Sequence, residues 1–390
     1  MRLARVLRNR YTPVVVAFLA MRLMMLSTLP ADNLTLYGDY AYYYELASYS
    51  DQGQLPFIDY WSEYPPLFPF LSVGLYQLSS AAGGGYHLYV QLMGLLMAAL
   101  STGGLVLLLR LARRLHGAER AERLGWFYTA LFVPLMYTWW SFDALPVFCL
   151  LLTLELLLSG RERWSAVSMG VGVLAKLIPA LVFLAVLRTR PWRRWLSYGL
   201  IAAVVVGAVA VPLLAAGGEM AAASFLFPFR RSAWQTVWAL LEGNVGTGLL
   251  GSPADHLDLT NASGAATSAT ALGWVSLLVL AGLYAIALHR ARLEDRPDRL
   301  VAFVTLALVL FFLFSKGWSQ QWQCYLYPLV LLVLPLHRSL LFIIGLSLVN
   351  LVEWPVLLSR GMNQWMYLTV PLRTALLALL AAVLWRRVEE

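Results

Sequence analysis

The segment from Gly38 to Leu67 concentrates the residue types that could perform chemistry. It reads GDYAYYYELASYSDQGQLPFIDYWSEYPPL and holds five carboxylates and seven tyrosines, without a Lys or Arg. A carboxylate held next to an apolar segment can act as a general base and take a proton from a hydroxyl nucleophile. We therefore predict that this segment carries the active site of a membrane enzyme and that its first carboxylate, Asp39, is the catalytic base.

Asp39 also has a structural interpretation. An Asp directly before an apolar, tyrosine-rich turn is a favoured helix N-cap, because its side chain can accept a hydrogen bond from a free backbone N–H. Spacing alone leaves both interpretations open.

Asp59 and Glu63 lie four residues apart and would share a face if their segment were helical, although Pro65 would end that helix. We predict that both bind substrate, through its hydroxyl groups, and either could instead bind a divalent cation. Two carboxylates without a third ligand are a weak signal for a divalent cation, so no metal or other cofactor is favoured. A solvated loop is the alternative. Tyr43 suits stacking against a sugar as well as a place in an interfacial aromatic belt.

Cations are rare in the segments expected to face the same side as this one. Arg230 and Arg231 are the only Lys or Arg residues in the more than fifty positions of 216–271. Because Arg forms bidentate, charge-assisted hydrogen bonds with phosphate, both are predicted to bind a phosphate group. Attraction to anionic lipid headgroups is the alternative. Lys316, at the end of an apolar run, could hold a further phosphate oxygen or could snorkel to the membrane interface.

The composition indicates which elements must position these side chains. Hydrophobic residues make up 60% of the 390 positions and charged residues 13%, which is typical of polytopic membrane proteins. We predict an all-α protein with about 11–12 transmembrane helices in a single transmembrane domain, residues 1–390. The net charge of +8 then reflects topology, since cytoplasmic loops accumulate Lys and Arg, and no nucleic-acid partner is expected.

Basic clusters predict the topology, because short cytoplasmic loops are rich in Lys and Arg. Placing the clusters in the cytoplasm puts both termini there and leaves two large outer loops, 31–85 and 216–271. The first loop is predicted to carry the catalytic residues and interfacial helices, including the apolar stretch 65–80. The clusters are Arg2–Arg10, Arg110–Arg123, Arg161–Arg163, Arg188–Arg194, Arg290–Arg299, Arg338 and Arg386–Arg387.

The apolar stretch 165–187 has basic clusters on both sides, which one crossing cannot satisfy. We predict a hairpin of two short helices, broken near Lys176–Pro179. Since this hairpin belongs to the cytoplasmic half, its Lys176 is expected to be architectural.

Three further polar residues have expected roles. Asp143 and Glu353, at outer span ends, are expected to pair with arginines such as Arg360. His256 lies in the Gly/Ser/Ala-rich tract Gly243–Thr270, which predicts a flexible loop and no catalytic role.

The motif GD-x-x-YY, followed by P-x-x-DY-x-x-EYPPL, resembles the first outer loop of GT-C glycosyltransferases. The likeness is greatest to the polyprenyl-phosphate-mannose-dependent mannosyltransferases and their bacterial relatives. Three later segments agree in order and type with that family's motifs: GVGVLAKLIPALVFL, FRRSAWQTVW and FSKGWSQQWQCYLYPL. The resemblance covers residues 13–336.

This resemblance implies the GT-C fold and a glycosyltransferase, either a hexosyl- or a pentosyltransferase. It would move a sugar, with mannose favoured, from a polyprenyl-phosphate donor to a hydroxyl of a glycolipid or glycan acceptor, with inversion. The reaction would take place among membrane lipids on the outer face of a bacterial plasma membrane. Asp39 matches the base, and Arg231 and Lys316 match donor-phosphate positions. We add Gln320, in the last motif, as a substrate-binding residue. A transporter or flippase of lipid-linked sugar is the alternative function, because it would also use broken helices.

Overall fold

The protein is all-α in every part of the chain that its computed structural model describes, which is residues 9–248, 251–263, 271–293 and 296–390. Its first half contains α1 (Thr12–Thr28), α2 (Ala31–Thr35), α3 (Tyr40–Ser48), α4 (Leu67–Ala81), α5 (Gly85–His116), α6 (Ala118–Ala130), α7 (Phe132–Trp140), α8 (Ala144–Leu158), α9 (Glu162–Ala175) and α10 (Val182–Thr189). Its second half contains α11 (Trp192–Arg230), α12 (Val237–Leu241), α13 (Ala271–Arg290), α14 (Pro297–Phe314), α15 (Gln323–Val333), α16 (Leu336–Leu351) and α17 (Met366–Glu389).

Six helices in the described ranges are long and apolar enough to cross a membrane, which confirms an all-α polytopic membrane protein. They are Gly85–His116, Trp192–Arg230, Gly273–Arg290, Pro297–Phe314, Leu336–Arg360 and Asn363–Glu389. Three shorter apolar helices accompany them, Thr12–Thr28, Ala144–Leu158 and Ile178–Thr189. A number of 11–12 crossings, the sides of the loops and the positions of the termini stay predictions. Parts of two basic clusters lie outside the described residues. They are residues 2–8 of the cluster Arg2–Arg10 and residues 294–295 of the cluster Arg290–Arg299.

The centre and the edge of the bundle differ sharply in burial. Every residue of α15 is buried, and α14 is buried along most of its length. Only a few residues of α11 are buried, so this helix lies at the edge with most of its apolar surface exposed. An apolar surface of this kind is stable against lipid.

The predicted outer loop 31–85 forms a small helical layer of its own. Helices α2, α3 and α4 and the 3₁₀ turn Tyr49–Gln52 fold over the start of α5. Their aromatic side chains form a separate core, in which the rings of Phe68 and Phe142 stack at 3.7 Å. The loop is therefore a packed structure that can hold side chains in fixed positions.

The predicted helical hairpin is confirmed, with its break where the sequence placed it. Helix α9 ends at Ala175, Lys176 has an extended backbone, and a 3₁₀ turn at Ile178–Leu181 leads into α10. The ammonium group of Lys176 lies 2.7 Å from Oδ1 of Asp143, at the start of α8, and both side chains are largely buried. The ion pair therefore anchors the break to the neighbouring helix.

Helix α11 is unusually long and continues well into the predicted outer loop 216–271. It bends at Gly218, whose φ of 51° and ψ of −118° are not helical. At Gly217 an added Cβ would lie 1.9 Å from the carbonyl oxygen of Phe57. Only glycine allows this approach between the helix and the first loop.

We expect Gly217→Ala to lower the midpoint of thermal unfolding in detergent, because its methyl group meets backbone atoms that cannot move independently. The cost should be about 1–3 kcal/mol. Gly207→Ala is the matched control: it lies on the same helix with nothing within 4 Å of the added atom. The control should be neutral or more stable by up to about 1 kcal/mol. Equal midpoints for the two variants would contradict the close packing of α11 on the first loop.

Removing one partner of the Lys176–Asp143 pair should be more harmful than removing both. Lys176→Met leaves a carboxylate that is 1% exposed without its cation, and the expected loss is about 3 kcal/mol. The double variant Lys176→Met/Asp143→Asn should recover most of that loss. Thermal unfolding of the single and double variants measures the coupling, and strictly additive effects would argue against the pair.

Candidate active site

A cavity of about 540 Å³ opens where the first loop, the hairpin break, the end of α11 and the loop after α14 meet. Its charged lining consists of Asp39, Glu63, Lys176, Arg231 and Lys316, and its tryptophans are Trp140, Trp234, Trp274, Trp322 and Trp354. The concentration of ionisable groups beside aromatic side chains suits a substrate with both a charged and an apolar part.

The backbone around Asp39 is fixed by close packing on the end of α7. The Asp39 N–H donates to the carbonyl of Trp140 at 2.9 Å. A Cβ at Gly38 would lie 2.2 Å from the Trp140 Cα, so only glycine fits there. Asp39 occupies the N-cap position of α3, but its side chain makes no capping hydrogen bond. The Asp39 carboxylate is therefore not used as a helix cap, and it lines the cavity.

Burial gives this carboxylate an unusual proton affinity. Burial, with a smaller contribution from the charge of Asp143, raises the pKa of Asp39 from its ordinary value of 3.8 to about 6, although the Tyr43 hydrogen bond and Lys176 oppose the rise. The Tyr43 hydroxyl donates to Oδ2 of Asp39 at 3.1 Å. Tyr43 itself is buried in the loop's aromatic core and is not among the residues that line the cavity. The structure thus gives Tyr43 a positioning contact in place of the predicted contact with sugar.

Glu63 and Arg231 form a second charged group in the cavity. Arg231 Nη1 lies 3.8 Å from Oε2 of Glu63, and its guanidinium group stacks 4.0 Å from the Trp234 ring and donates to the carbonyl of Gly248. Burial raises the pKa of Glu63 from 4.5 to about 7, although the Arg231 charge opposes the rise. Both groups face the cavity as predicted.

Asp59 does not accompany Glu63. The residues between them form no helix, so they share no helical face, and that expectation is wrong. Asp59 is exposed, and its carboxylate accepts from the Leu55 N–H at 2.8 Å. It stabilises the turn and does not line the cavity.

The predicted phosphate-binding residues separate in the same way. Lys316 lines the cavity, with Nζ 3.3 Å from the carbonyl of Phe229 and 5.9 Å from the Trp274 ring. Arg230, at the last position of α11, is exposed and lies outside the cavity lining. A helix turns its neighbouring residues about 100° apart, and only Arg231 faces inward.

Gln320 lines the cavity and is held from behind by a buried ion pair. Its Nε2 donates to Oε1 of Glu353 at 2.9 Å. Glu353 pairs with Arg373, which also donates to the carbonyl of Gln235. Glu353 therefore does pair with an arginine, but the expected partner, Arg360, instead donates to the carbonyl of Val356. The pairing of Glu353 with Arg360 is wrong.

Lys176 was expected on the cytoplasmic half, away from the chemistry, yet it lines the same cavity as Asp39. The ion pair with Asp143 holds Lys176 at the cavity. Asp143 was likewise expected to pair with an arginine, and the structure gives it a lysine. The break in the hairpin was the available sequence signal, because a broken helix in a membrane usually lines a cavity.

His256 is the residue that sequence reasoning missed most clearly. It was placed in a flexible loop, but it is buried in a 3₁₀ turn at Pro253–Leu257. It contacts the hydroxyl of the cavity residue Tyr42 and stacks on Trp61 at 3.9 Å. Residues 249–250 and 264–270 of the tract Gly243–Thr270 lie outside the described residues.

Within the described ranges, no group of three or more His, Cys, Asp or Glu side chains is arranged to hold a metal ion.

The fold is similar to that of solved GT-C enzymes. The structure of ArnT from Cupriavidus metallidurans bound to undecaprenyl phosphate matches with a TM-score of 0.53 and 16% identity, over 97% of this chain and 78% of that chain. Its apo structure matches with 0.53 and 17%, over the same shares. The Archaeoglobus fulgidus oligosaccharyltransferase in complex with Zn and sulfate matches with 0.45 and 15%, over 94% of this chain and 53% of that chain.

No curated protein sequence matches the chain. A family model does: residues 61–315, more than half of the chain, match Glycosyltransferase family 87. The match includes Glu63, Lys176 and Arg231 of the cavity. The protein therefore belongs to glycosyltransferase family 87.

Proposed function

We propose that the protein transfers a sugar, with mannose favoured, from a polyprenyl-phosphate donor to a hydroxyl group of a glycolipid or glycan acceptor. One observation carries this proposal: a carboxylate with a raised pKa, Asp39, shares a single cavity with the cations Arg231 and Lys316. ArnT, a solved protein with a similar fold, binds undecaprenyl phosphate. That ligand supports a lipid-phosphate donor for this chain.

The proposed reaction uses the two kinds of group at opposite ends of the transferred sugar. Asp39 takes the proton of the acceptor hydroxyl while the acceptor oxygen forms a bond to the anomeric carbon. The bond from that carbon to the donor phosphate breaks, and the polyprenyl phosphate leaves with the electron pair. Attack from the face opposite the leaving group inverts the anomeric centre. Arg231 and Lys316 stabilise the departing anion.

The aromatic residues of the cavity suit the apolar part of such a donor. Trp274 and Phe229 lie beside Lys316, and Trp234 lies beside Arg231. An isoprenoid chain can therefore contact apolar surface close to where its phosphate meets a cation. The distribution of Arg along the sequence supports a cavity on the outer face of a bacterial plasma membrane, with both termini in the cytoplasm.

Transfer of label from a radiolabelled polyprenyl-phosphate sugar to a membrane-glycolipid extract, with stoichiometric release of polyprenyl phosphate, tests the reaction. A panel of mannose, arabinose and glucose donors identifies the sugar. Movement of an intact lipid-linked sugar across a vesicle membrane, without release of lipid phosphate, would overturn the proposal in favour of a transporter.

The rate of sugar transfer should fall at acidic pH, because protonation of Asp39 removes the catalytic base. Because Asp39 must be ionised to accept a proton and has a pKa of about 6, kcat/KM should fall about tenfold per pH unit below that value. Asp39→Asn should remain folded, lose about 10²–10⁴-fold in rate and show no such acidic limb. Glu63→Gln is the control and should keep the limb. A limb that survives in Asp39→Asn would remove Asp39 from the role of base.

Arg231→Ala and Lys316→Ala should each lower the rate by roughly 10²-fold, since each removes a cation aimed at the leaving phosphate. Arg230→Ala is the matched control, because its side chain has the same charge but lies outside the cavity lining. Single-turnover rates at saturating donor separate this effect from binding. Equal losses at Arg230 and Arg231 would show that general attraction to anionic lipids, and not a phosphate site, explains the arginines.

A further inference from the structure

His256 joins the two outer loops through a reciprocal set of contacts. Its Nδ1 lies 2.7 Å from the carbonyl of Trp61, and the Trp61 N–H donates to the His256 carbonyl at 3.0 Å. Its Nε2 contacts the hydroxyl of Tyr42. The imidazole therefore lies between the backbone of one loop residue and the side chain of a residue that lines the cavity.

These partners determine which ring nitrogen carries the proton. The Trp61 carbonyl can only accept a hydrogen bond, so Nδ1 must be the donor. Burial lowers the pKa of His256 and so favours the neutral ring, against the smaller effects of the Trp61 carbonyl and Asp255, which raise the pKa. In a neutral ring with a proton on Nδ1, Nε2 is an acceptor. The Tyr42 hydroxyl is then the donor in the contact between them.

A tyrosine whose proton is already used presents only its lone pairs to other partners. Tyr42 lines the cavity together with Asp39, Glu63 and Arg231. Burial and the charges of Glu63 and Asp39 raise the pKa of Tyr42, so it stays a neutral phenol. Tyr42 is thus a cavity residue with an uncharged hydroxyl oxygen that can only accept a further hydrogen bond.

We propose that the Tyr42 oxygen accepts a hydrogen bond from a hydroxyl group of the transferred sugar, and that His256 is the positioning residue that keeps this oxygen an acceptor. The inference rests on the proposed function. In that reaction the sugar lies between the base and the leaving phosphate. Tyr42 lines the cavity with both Asp39 and Arg231, which are assigned to those two ends. Tyr42 is therefore a specificity-determining residue for the sugar.

A site built to pair with a sugar hydroxyl discriminates against a donor that lacks it. The probes are polyprenyl-phosphate mannose and its four monodeoxy analogues, at C2, C3, C4 and C6. For the wild type, one deoxy donor should lose about tenfold in kcat/KM through this contact. In Tyr42→Phe that penalty should disappear, because parent and deoxy donors are then equally unpaired. Unchanged penalties in Tyr42→Phe at all four positions, or no penalty at any position in the wild type, would overturn the inference.

Two substitutions of His256 separate positioning from loop packing. Asn can place an N–H where Nδ1 donates to the Trp61 carbonyl, but it does not reach Tyr42. Gln can place an oxygen where Nε2 accepts from Tyr42, but it loses the Trp61 contact. We expect His256→Gln to keep the deoxy penalty and His256→Asn to lose it. If packing of the loop alone mattered, the order would reverse, with His256→Asn behaving like the wild type.

Different outcomes separate the role of Tyr42 from the proposed function. Sugar transfer by the wild type with no change in deoxy discrimination in the Tyr42 and His256 variants would remove only the role of Tyr42. No transfer by the wild type from any lipid-phosphate donor would overturn the proposed function and this inference with it. Midpoints of thermal unfolding in detergent, measured on every variant, identify a loss that comes from misfolding.

Discussion

The ion pair between Arg373 and Glu353 is connected to a part of the chain that is far away in sequence, because Arg373 also donates to the carbonyl of Gln235, 138 residues away. Both side chains are almost completely buried, and an isolated charge in that position would be very costly. The pair is completed by the Gln235 carbonyl on one side and by the Gln320 amide on the other. These two residues belong to the loops that carry Arg231 and Lys316. The loops that carry Arg231 and Lys316 are therefore held in place by an ion pair behind the cavity.

The same arrangement recurs around the cavity, where charges are held in pairs while the rest of the protein is apolar. Lys176 pairs with Asp143, and Arg231 lies beside Glu63. Each pair connects two separate segments of the chain: the start of α8 with the break after α9, and the first loop with the end of α11. Paired charges compensate one another's desolvation, so they can remain in a membrane protein close to a substrate cavity. Among the described residues no cation forms an ion pair with Asp39, and burial is the largest effect on its pKa.

The sequence was sufficient for features that depend on local composition and was insufficient for contacts between distant segments. Apolar content predicted the helices, and flanking arginines predicted the broken hairpin, whose break at Lys176 is confirmed. The distribution of arginines indicates a side of the membrane but not a depth, and this is why Lys176 was placed away from the cavity. His256 is 195 residues from Trp61, and no local pattern reveals such a contact.

The kink in α11 has a consequence for how the parts of the cavity are held relative to one another. The segment Trp192–Gly217, before the kink at Gly218, corresponds to about 39 Å of helix, whereas the hydrocarbon core of a bilayer is about 30 Å thick. The shorter segment beyond the kink ends at Arg230, next to Arg231 of the cavity, and the close approach of Gly217 to Phe57 ties the first loop to the helix at the kink. One bent helix thus supports both the first loop and a cation of the cavity, so the relative position of these two parts of the site depends on the angle at Gly218.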